Sequence, residues 1–392
     1  MKQKALLCLV CMLLLSHLLA GCTTAGQYET ATTVPIQTTP AVMPTQPTPA
    51  APTAPPPAPE SSVAFETNKA GKTVVHVTGP IDERPAYNYV FNPHVCSSIC
   101  KLCLGDEVEA ELNAYCDAVL AGADFFPCTG AENWERVNAA KAEALPISIF
   151  VDLGESFDES LMQDGKYPLT YTVSKSEFSQ ITTEFQAQVA ALIAAADLRE
   201  GDTELERALK LFSSESLRCV YDYKTEEDFT IRGYQSNAYH VIMEGRGICQ
   251  EFARDYAYLL QQVGVDASTC GSEMVRELGP HEWTVFLLDG VWYNADVTWQ
   301  LNEPYALTFF GGTDTERYYH GVLLEYNDFG NYGVLGNEEL PIEDLRFEQF
   351  GSVKWYRIDH ETQTLLYYDD PAFILNDPDS YTAEPKQFDL KP

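Results

Sequence analysis

The chain has 392 residues and a formal charge of −33, with 58 acidic and 25 basic residues. So acidic a surface would repel nucleic acids and anionic lipids, and neither is expected as a binding partner. Hydrophobic residues make up 45% of the chain, which excludes a protein that is disordered throughout. The length predicts two domains, or one large domain with extensions.

Residues 1–22 have the pattern of an export signal. Lys2 and Lys4 precede an apolar run that is too short to span a membrane. The run ends in Leu19-Ala20-Gly21-Cys22, which resembles the lipobox of bacterial lipoproteins. That resemblance implies that Cys22 is diacylated and anchors an extracytoplasmic protein to the bacterial cell membrane. The alternative is an ordinary cleaved signal peptide in which Cys22 has no role.

The next segment, residues 23–62, is rich in Thr, Pro and Ala and carries no charged residue between positions 30 and 59. Proline at this density favours the polyproline II conformation, which rises about 3.1 Å per residue and buries no core. We therefore predict a disordered linker that separates the folded part from the membrane.

From about residue 63 the chain has the periodicity of folded structure. Apolar residues at helical spacing predict helices over 106–120, 132–145, 177–196 and 203–217. Alternating patterns predict strands at 74–78, 169–173, 353–356 and 364–368, and an extended segment at 219–221. We therefore predict a mainly helical extension over 63–165 and a strand-rich extension over 331–392, on either side of a domain at 166–330.

A cysteine stands at the predicted start of a further helix. Gly245 and Gly247 permit a sharp turn, a helical pattern follows Cys249 at once, and Gly264 supplies its stop. At a helix N-terminus the unpaired N–H groups and the macrodipole favour a thiolate, the reactive form of the side chain. The alternative is that Cys249 is a small buried hydrophobic residue.

A predicted hairpin follows, with Asp289-Gly290 as its turn between strands at 281–288 and 291–297. If the residues flanking the turn pair, opposed positions sum to 579. His281 and Asp296 are then diagonal neighbours on one sheet face, about 7–8 Å apart at the backbone. A carboxylate there can hold one imidazole nitrogen and leave the other to accept a proton from a thiol.

Three segments together resemble the transglutaminase-like superfamily of papain-fold cysteine enzymes. They are Gly245-Arg246-Gly247-Ile248-Cys249-Gln250, then His281-Glu282-Trp283, then Trp292-Tyr293-Asn294-Ala295-Asp296-Val297-Thr298-Trp299. The order Cys, His, Asp matches, as do the spacings of 32 and then 15 residues. The resemblance implies an α+β fold with a papain-like core, whose nucleophile starts a helix packed on an antiparallel sheet. It makes Cys249 the nucleophile, His281 the general base and acid, and Asp296 the residue that orients His281. The helices before this core resemble the N-terminal extension of bacterial secreted members.

The chain departs from the family pattern at one position, where Glu251 replaces the Gly that many members have. Catalysis also needs a second hydrogen-bond donor for the oxyanion, beside the Cys249 amide. In this superfamily an upstream side chain supplies it, and Gln235, Asn237 and Tyr239 are the candidates.

A second cysteine motif is a possible metal site. Cys96, Cys100 and Cys103 have the C-x₃-C-x₂-C spacing of enzymes that hold an iron–sulfur cluster, and a zinc ion is the second metal that such cysteines could bind. At helical spacing the three share one face, and we favour disulfides or core packing over a cluster or zinc. We expect no metal and no cofactor. The pairing of the seven other cysteines cannot be read from the sequence; they are Cys96, Cys100, Cys103, Cys116, Cys128, Cys219 and Cys270.

The function implied by the resemblance is that of a cysteine enzyme that forms a thioester on Cys249 from a protein or peptide amide. Water would resolve the thioester in a protease or amidase, whereas an amine would resolve it in a cross-linking acyltransferase. Export implies an extracytoplasmic substrate, such as a surface protein, a cell-wall peptide or a host polypeptide. The alternative is a catalytically inactive papain-fold adhesion or scaffolding module on a membrane-tethered stalk.

Overall fold

The computed structural model describes residues 62–67, 73–78, 82–228, 230, 237–272, 280–303, 305–319, 327–329, 342–369 and 384–391. The chain divides into two units, Met1–Pro57 and Ala58–Pro392, and the described residues all belong to the second. The predicted signal, Cys22, all of the linker before residue 62, and Gln235 lie outside the described residues.

Short strands alternate with long helices in the first part of the described chain. An antiparallel hairpin comes first, formed by β1 (Ser62–Thr67) and β2 (Thr73–Thr78). The elements that follow are α1 (Ser98–Leu120), β3 (Phe125–Pro127), α2 (Ala131–Ala144), β4 (Val151–Asp152), β5 (Lys166–Pro168), β6 (Thr170–Tyr171), α3 (Lys175–Ala195), α4 (Glu204–Arg218), β7 (Val220–Tyr221) and α5 (Tyr223–Glu227). Two short 3₁₀ helices, Pro146–Phe150 and Glu159–Leu161, connect α2 to β5.

The four helices predicted in this part are confirmed, and side-chain caps explain where three of them begin. Ser97 caps α1, Ser174 caps α3, and Thr203 forms a reciprocal capping box with Glu206 at the start of α4. The first helix begins earlier than predicted and is interrupted at Gly105, whose φ is 74°. The strand predicted at 169–173 is shorter, because only β6 pairs there.

The second part of the described chain contains the main sheet. Its elements are α6 (Ala238–Glu244), β8 (Arg246–Gly247), α7 (Cys249–Gln262), β9 (Ala267–Ser272), β10 (His281–Leu288), β11 (Val291–Ala295), α8 (Val297–Gln300), β12 (Phe310–Gly312), α9 (Asp314–Tyr319), β13 (Asn327–Phe329), β14 (Trp355–Asp359), β15 (Thr364–Tyr368) and β16 (Lys386–Asp389). The main sheet is antiparallel in the order β12-β11-β10-β9-β13, and β14, β15 and β16 form a separate three-stranded sheet.

The hairpin between β10 and β11 has the predicted register. Leu288 pairs with Val291, and both turn residues, Asp289 and Gly290, have positive φ, as a tight two-residue turn requires. The prediction that the second strand continues to residue 297 is wrong. It ends at Ala295 because Asp296 caps helix α8, and its side chain accepts a hydrogen bond from the backbone N–H of Trp299.

Helix α7 lies at the centre of the fold. It packs against β9, β10, α4 and α6, so most of its residues are buried. One hydrophobic core joins α7 to the helices before residue 166 and to β14 and β15, whereas Trp283 and Val285 of β10 belong to a smaller second cluster. The predicted α+β class is confirmed.

The expectation that three cysteines share a helix face is wrong. Cys96 precedes the Ser97 cap and therefore lies outside α1, while Cys100 is buried and Cys103 is partly exposed. Burial of Cys100, Cys116, Cys128, Cys219 and Cys270 is typical of thiols that pack as small hydrophobic groups. Within the part of the chain that the structure describes, no helix is long and apolar enough to cross a membrane.

A buried ionic group joins α4 to α7. The Arg218 guanidinium lies 2.5 Å from a carboxylate oxygen of Glu215 and 2.7 Å from one of Asp255. Both carboxylates are almost completely buried. Burial raises the pKa of Asp255 well above its usual range, the nearby Glu215 charge adds to the increase, and Arg218 opposes it.

Replacing Arg218 with Leu should destabilise the protein by about 3–5 kcal/mol, because two carboxylates would stay buried without a counter-charge. A buried acid whose pKa rises on folding favours the folded state less as the pH increases. The loss should therefore be larger at pH 8 than at pH 5 in urea unfolding. Lys386→Leu removes an exposed partner of Asp369 and should change stability far less. Equal losses in the two variants would contradict this account.

Candidate active site

Cys249 is the first residue of α7, and the chain reaches it through a turn and a short strand. Helix α6 ends at Gly245, which adopts the left-handed conformation with φ 67°. Strand β8 then pairs in parallel with β7, so that Tyr221 lies opposite Gly247. The prediction that Cys249 begins a helix is confirmed.

The turn before Cys249 is packed so closely that residue 247 must be glycine. A Cβ atom there would lie 2.5 Å from Val241 Cγ2 and 3.1 Å from Glu251 Cβ. Glu251 is fully buried, and its carboxylate accepts the Ile248 backbone N–H at 3.1 Å. Glu251, where the chain departs from the family pattern, therefore supplies one of the two bonds of a capping box. It satisfies the Ile248 backbone N–H at the start of α7.

His281 and Asp296 are in direct contact. Nε2 of His281 lies 2.7 Å from Oδ2 of Asp296, and the carboxylate is fully buried. The other carboxylate oxygen accepts the Trp299 backbone N–H at 3.1 Å. The Asp296 backbone N–H donates to the Phe309 carbonyl at 2.9 Å. The backbone bond fixes the main chain at Asp296, and the two carboxylate bonds limit the rotation of the side chain, so the fold sets its direction toward the imidazole.

Two indole rings lie beside the imidazole of His281. The Trp299 ring is nearly parallel to it, with ring centres 4.8 Å apart and planes at 6°, and the Trp283 ring lies 6.1 Å away. Trp283 is itself held by a 2.8 Å hydrogen bond from its indole N–H to the Asn294 side chain. The rings leave His281 almost completely buried and restrict its rotation.

The charge of His281 is set by its two partners. Burial would lower its pKa, but the charge and hydrogen bond of the Asp296 carboxylate, followed by the nearby Cys249, raise the pKa of His281 to about 9. Because Asp296 occupies Nε2, the nitrogen that remains for Cys249 is Nδ1. Cys249, His281 and Asp296 thus lie near one another, an arrangement in which an imidazole can exchange a proton with a thiol while a carboxylate stabilises the charged form of the imidazole.

The three candidates for a second oxyanion donor are placed differently. Asn237 is buried and caps α6, with its side-chain oxygen bonded to the Tyr239 backbone N–H and its amide nitrogen to the Pro146 carbonyl. The Tyr239 ring packs on Phe150, with ring centres 5.1 Å apart. Gln235 lies outside the described residues.

The sequence did not point to Tyr221, whose side chain lies near Cys249. Burial raises the pKa of its phenol, and the Cys249 charge contributes further, so the phenol keeps its proton. The hydroxyl donates to Glu226 at 3.2 Å, and the exposed ring of Tyr223 packs on it. An extended segment was predicted at 219–221, but its parallel pairing with β8 has no signal in the local sequence.

Two groups of possible metal ligands occur among the described residues. They are Asp202, Glu206 and His360, and Glu215, Cys219 and Asp255. Arg84 and Lys210 already pair with Asp202, and Arg218 pairs with both carboxylates of the second group. Both groups are therefore ion-pair networks, and neither contains Cys249, His281 or the Cys96 motif.

Residues 193–297 match the family model described as the transglutaminase-like superfamily. The chain thus carries a domain of that superfamily, and the resemblance predicted from its sequence is confirmed. A solved chain described as "Crystal structure of a TGase" aligns with 32% of this chain and 34% of its own length, at 16% identity and a TM-score of 0.25. The comparison with curated proteins found no match.

Replacing Asp296 with Asn should lower the pKa of His281 from about 9, because the carboxylate charge that opposes the effect of burial is lost. In the wild type the raised pKa stabilises the fold at low pH, and this contribution is lost as the pH rises through about 9. NMR titration of the His281 ring in both proteins measures the change. An unchanged titration would show that Asp296 does not control the imidazole charge.

Replacing Gly247 with Ala should destabilise the protein by about 1–3 kcal/mol, because the new methyl group would overlap Val241 and Glu251. Gly130→Ala is a matched control, since a Cβ there meets no atom within 4 Å. Thermal and urea unfolding compare the two variants. If both lose the same stability, the close packing before Cys249 is not what requires glycine.

Proposed function

We propose that the protein is a cysteine enzyme of the transglutaminase-like class with a papain-like catalytic arrangement. The observation that carries this proposal is the buried Asp296 carboxylate on Nε2 of His281, which leaves the other imidazole nitrogen for the nearby Cys249 thiol. The position of Cys249 at the start of α7 supports it, because a helix N-terminus stabilises a thiolate.

In the proposed reaction the Cys249 thiolate attacks the carbonyl carbon of an amide. A carbon–sulfur bond forms and the charge moves to the carbonyl oxygen, where N–H groups of the first turn of α7 can donate to it. The carbon–nitrogen bond then breaks, and the His281 imidazolium gives its proton to the leaving nitrogen. The products are a thioester on Cys249 and an amine or ammonia, with His281 neutral.

The neutral His281 then takes a proton from the second nucleophile as that nucleophile attacks the thioester carbon. The carbon–sulfur bond breaks and Cys249 leaves as a thiolate, so the thiolate and the imidazolium are both restored. Water gives a carboxylic acid, as in a protease or amidase, and an amine gives a new amide, as in a cross-linking acyltransferase. The resemblance to bacterial members favours water. The neutral phenol of Tyr221 near Cys249 is a further candidate for the second oxyanion donor beside Gln235, Asn237 and Tyr239, and it would serve if its hydroxyl turned from Glu226 to the oxyanion.

The proposed substrate is a protein or peptide outside the cytoplasm. Residues 1–22 support export and lipid attachment at Cys22, and residues 23–62 support a spacer between the membrane and the enzyme. A fully extended polyproline II segment of that length would reach on the order of 100 Å. A surface protein, a cell-wall peptide or a host polypeptide would then lie within reach.

Alkylation by iodoacetamide tests the enzyme proposal without a known substrate. In the full-length protein, Cys249 should react at pH 6 at least tenfold faster than in His281→Ala, on the order expected for the loss of an acid–base partner. Peptide mass spectrometry follows every cysteine in the same sample, and the partly exposed Cys96 provides an internal control. Slow labelling of Cys249 that does not depend on His281 would exclude the enzyme and favour the adhesion or scaffolding alternative.

A further inference from the structure

A buried arginine lies on the nucleophile helix close to Cys249. Arg254 occupies α7 five residues after Cys249, and it is only 8% exposed. At about 1.5 Å per residue, the two positions are separated by roughly 7.5 Å along the helix axis. Because both residues lie on one helix, a contact that fixes the position of Arg254 along the helix axis also fixes the position of Cys249 along that axis.

The partner of Arg254 is the residue that follows His281. Nε of Arg254 lies 3.1 Å from one carboxylate oxygen of Glu282, and Nη2 lies 3.5 Å from the other. Glu282 is also only 8% exposed. Since both carboxylate oxygens face the planar guanidinium, the contact constrains distance and direction together.

A second polar contact joins the same turn of α7 to the same strand. The Thr284 hydroxyl donates to the carbonyl of Ala253 at 2.8 Å. Glu282 and Thr284 are alternate residues of β10 and so point to the same side of the strand. Two bonds at adjacent helix positions therefore oppose any sliding of α7 along β10.

The helical region before the domain also reaches this arginine. Glu143, near the end of α2, has a carboxylate oxygen 3.7 Å from Arg254 Nε. Arg254 thus contacts acidic groups on α2 and on β10, and it is itself part of α7. Through the Arg254 side chain, α7 is therefore held against both α2 and β10.

Stability alone does not explain a buried ion pair here. A hydrophobic pair of similar volume is often equally or more stable, because desolvation offsets most of the electrostatic gain. The ion pair instead fixes the relative position of the two elements. Apolar side chains can stay in contact while α7 shifts along β10, whereas a guanidinium and a carboxylate lose their hydrogen bonds. A shift of α7 along β10 would matter most for Cys249 and His281, since a displacement of reacting groups by about 1 Å can slow a reaction about 10²-fold.

We propose that Arg254, through Glu282, is a positioning residue that sets the location of α7 along β10 and so brings Cys249 to His281. The inference rests on the proposed function, since it concerns the alignment of the same two reacting groups. It assigns no contact with substrate to Arg254.

The test replaces the ion pair with apolar side chains of similar length in the full-length protein. The double variant Arg254→Met/Glu282→Met should retain most of its thermal stability, because the two charges of the 3.1 Å pair are removed together and Glu143, whose side chain is 13% exposed, loses only a 3.7 Å contact. His281-dependent alkylation of Cys249 at pH 6 should nevertheless fall by about tenfold or more. A double variant that is stable and reacts at the wild-type rate would overturn the proposal.

Arg254→Lys is the conservative variant, and it gives a second measurement if the double variant does not fold. It keeps the charge but loses the forked contact, so alkylation of Cys249 should slow severalfold; an unchanged rate would overturn the proposal. Lys210→Met is the matched control, because it removes from Asp202 a cation of 13% exposure that lies on α4 and outside the contacts between α7 and β10. It should lower stability and leave alkylation unchanged. If the wild type itself shows no His281-dependent alkylation, the proposed function fails first, and the two failures remain distinguishable.

Discussion

The buried carboxylate of Asp296 is the group on which the arrangement of the site depends. A carboxylate without solvent must have its charge compensated and its oxygens hydrogen-bonded. One oxygen receives the His281 imidazole and the other receives the Trp299 backbone N–H. The same residue ends β11 and begins α8. The fold of this segment and the charge of the imidazole are therefore consequences of one interaction, and the raised pKa of His281, about 9, follows from it.

The nucleophile helix imposes a complementary constraint. Cys249 can contact the His281 imidazole only if α7 begins at residue 249 and is correctly positioned along β10. The first condition is met by the close packing of Gly247 on Val241 and by the buried Glu251 carboxylate. The second is met where polar groups join α7 to β10. Both conditions involve buried polar atoms, because apolar packing alone fixes orientation less sharply.

The region before residue 166 takes part in the same structure. Its helices share one hydrophobic core with α7, and its polar contacts reach both ends of the nucleophile segment. The Pro146 carbonyl accepts the Asn237 side chain at the start of α6, and the Asn92 backbone pairs with the Gln262 side chain at the end of α7. Whether residues 63–165 are called an extension or a domain, they help to hold the elements that carry the site.

Local features of the sequence predicted the parts of the site that depend on neighbouring residues. The Asp289-Gly290 turn fixed the register of β10 and β11, and the helical pattern after Gly247 placed Cys249 at a helix start. The same reasoning extended β11 to residue 297, because alternation does not reveal that Asp296 prefers to cap a helix. It also placed Cys96 on the face of a helix that begins only after it, since boundaries depend on caps such as Ser97.

The sequence by itself therefore determined the long helices, the hairpin of β10 and β11, the order Cys249, His281, Asp296, and the superfamily of the domain, because each rests on short-range pattern. Only the tertiary structure decided that Tyr221 lies near Cys249, that Trp299 stacks on His281, and that Arg254 pairs with Glu282. These contacts join residues that are brought together by helix and sheet packing. Their formation depends on distances and burial that no local propensity encodes.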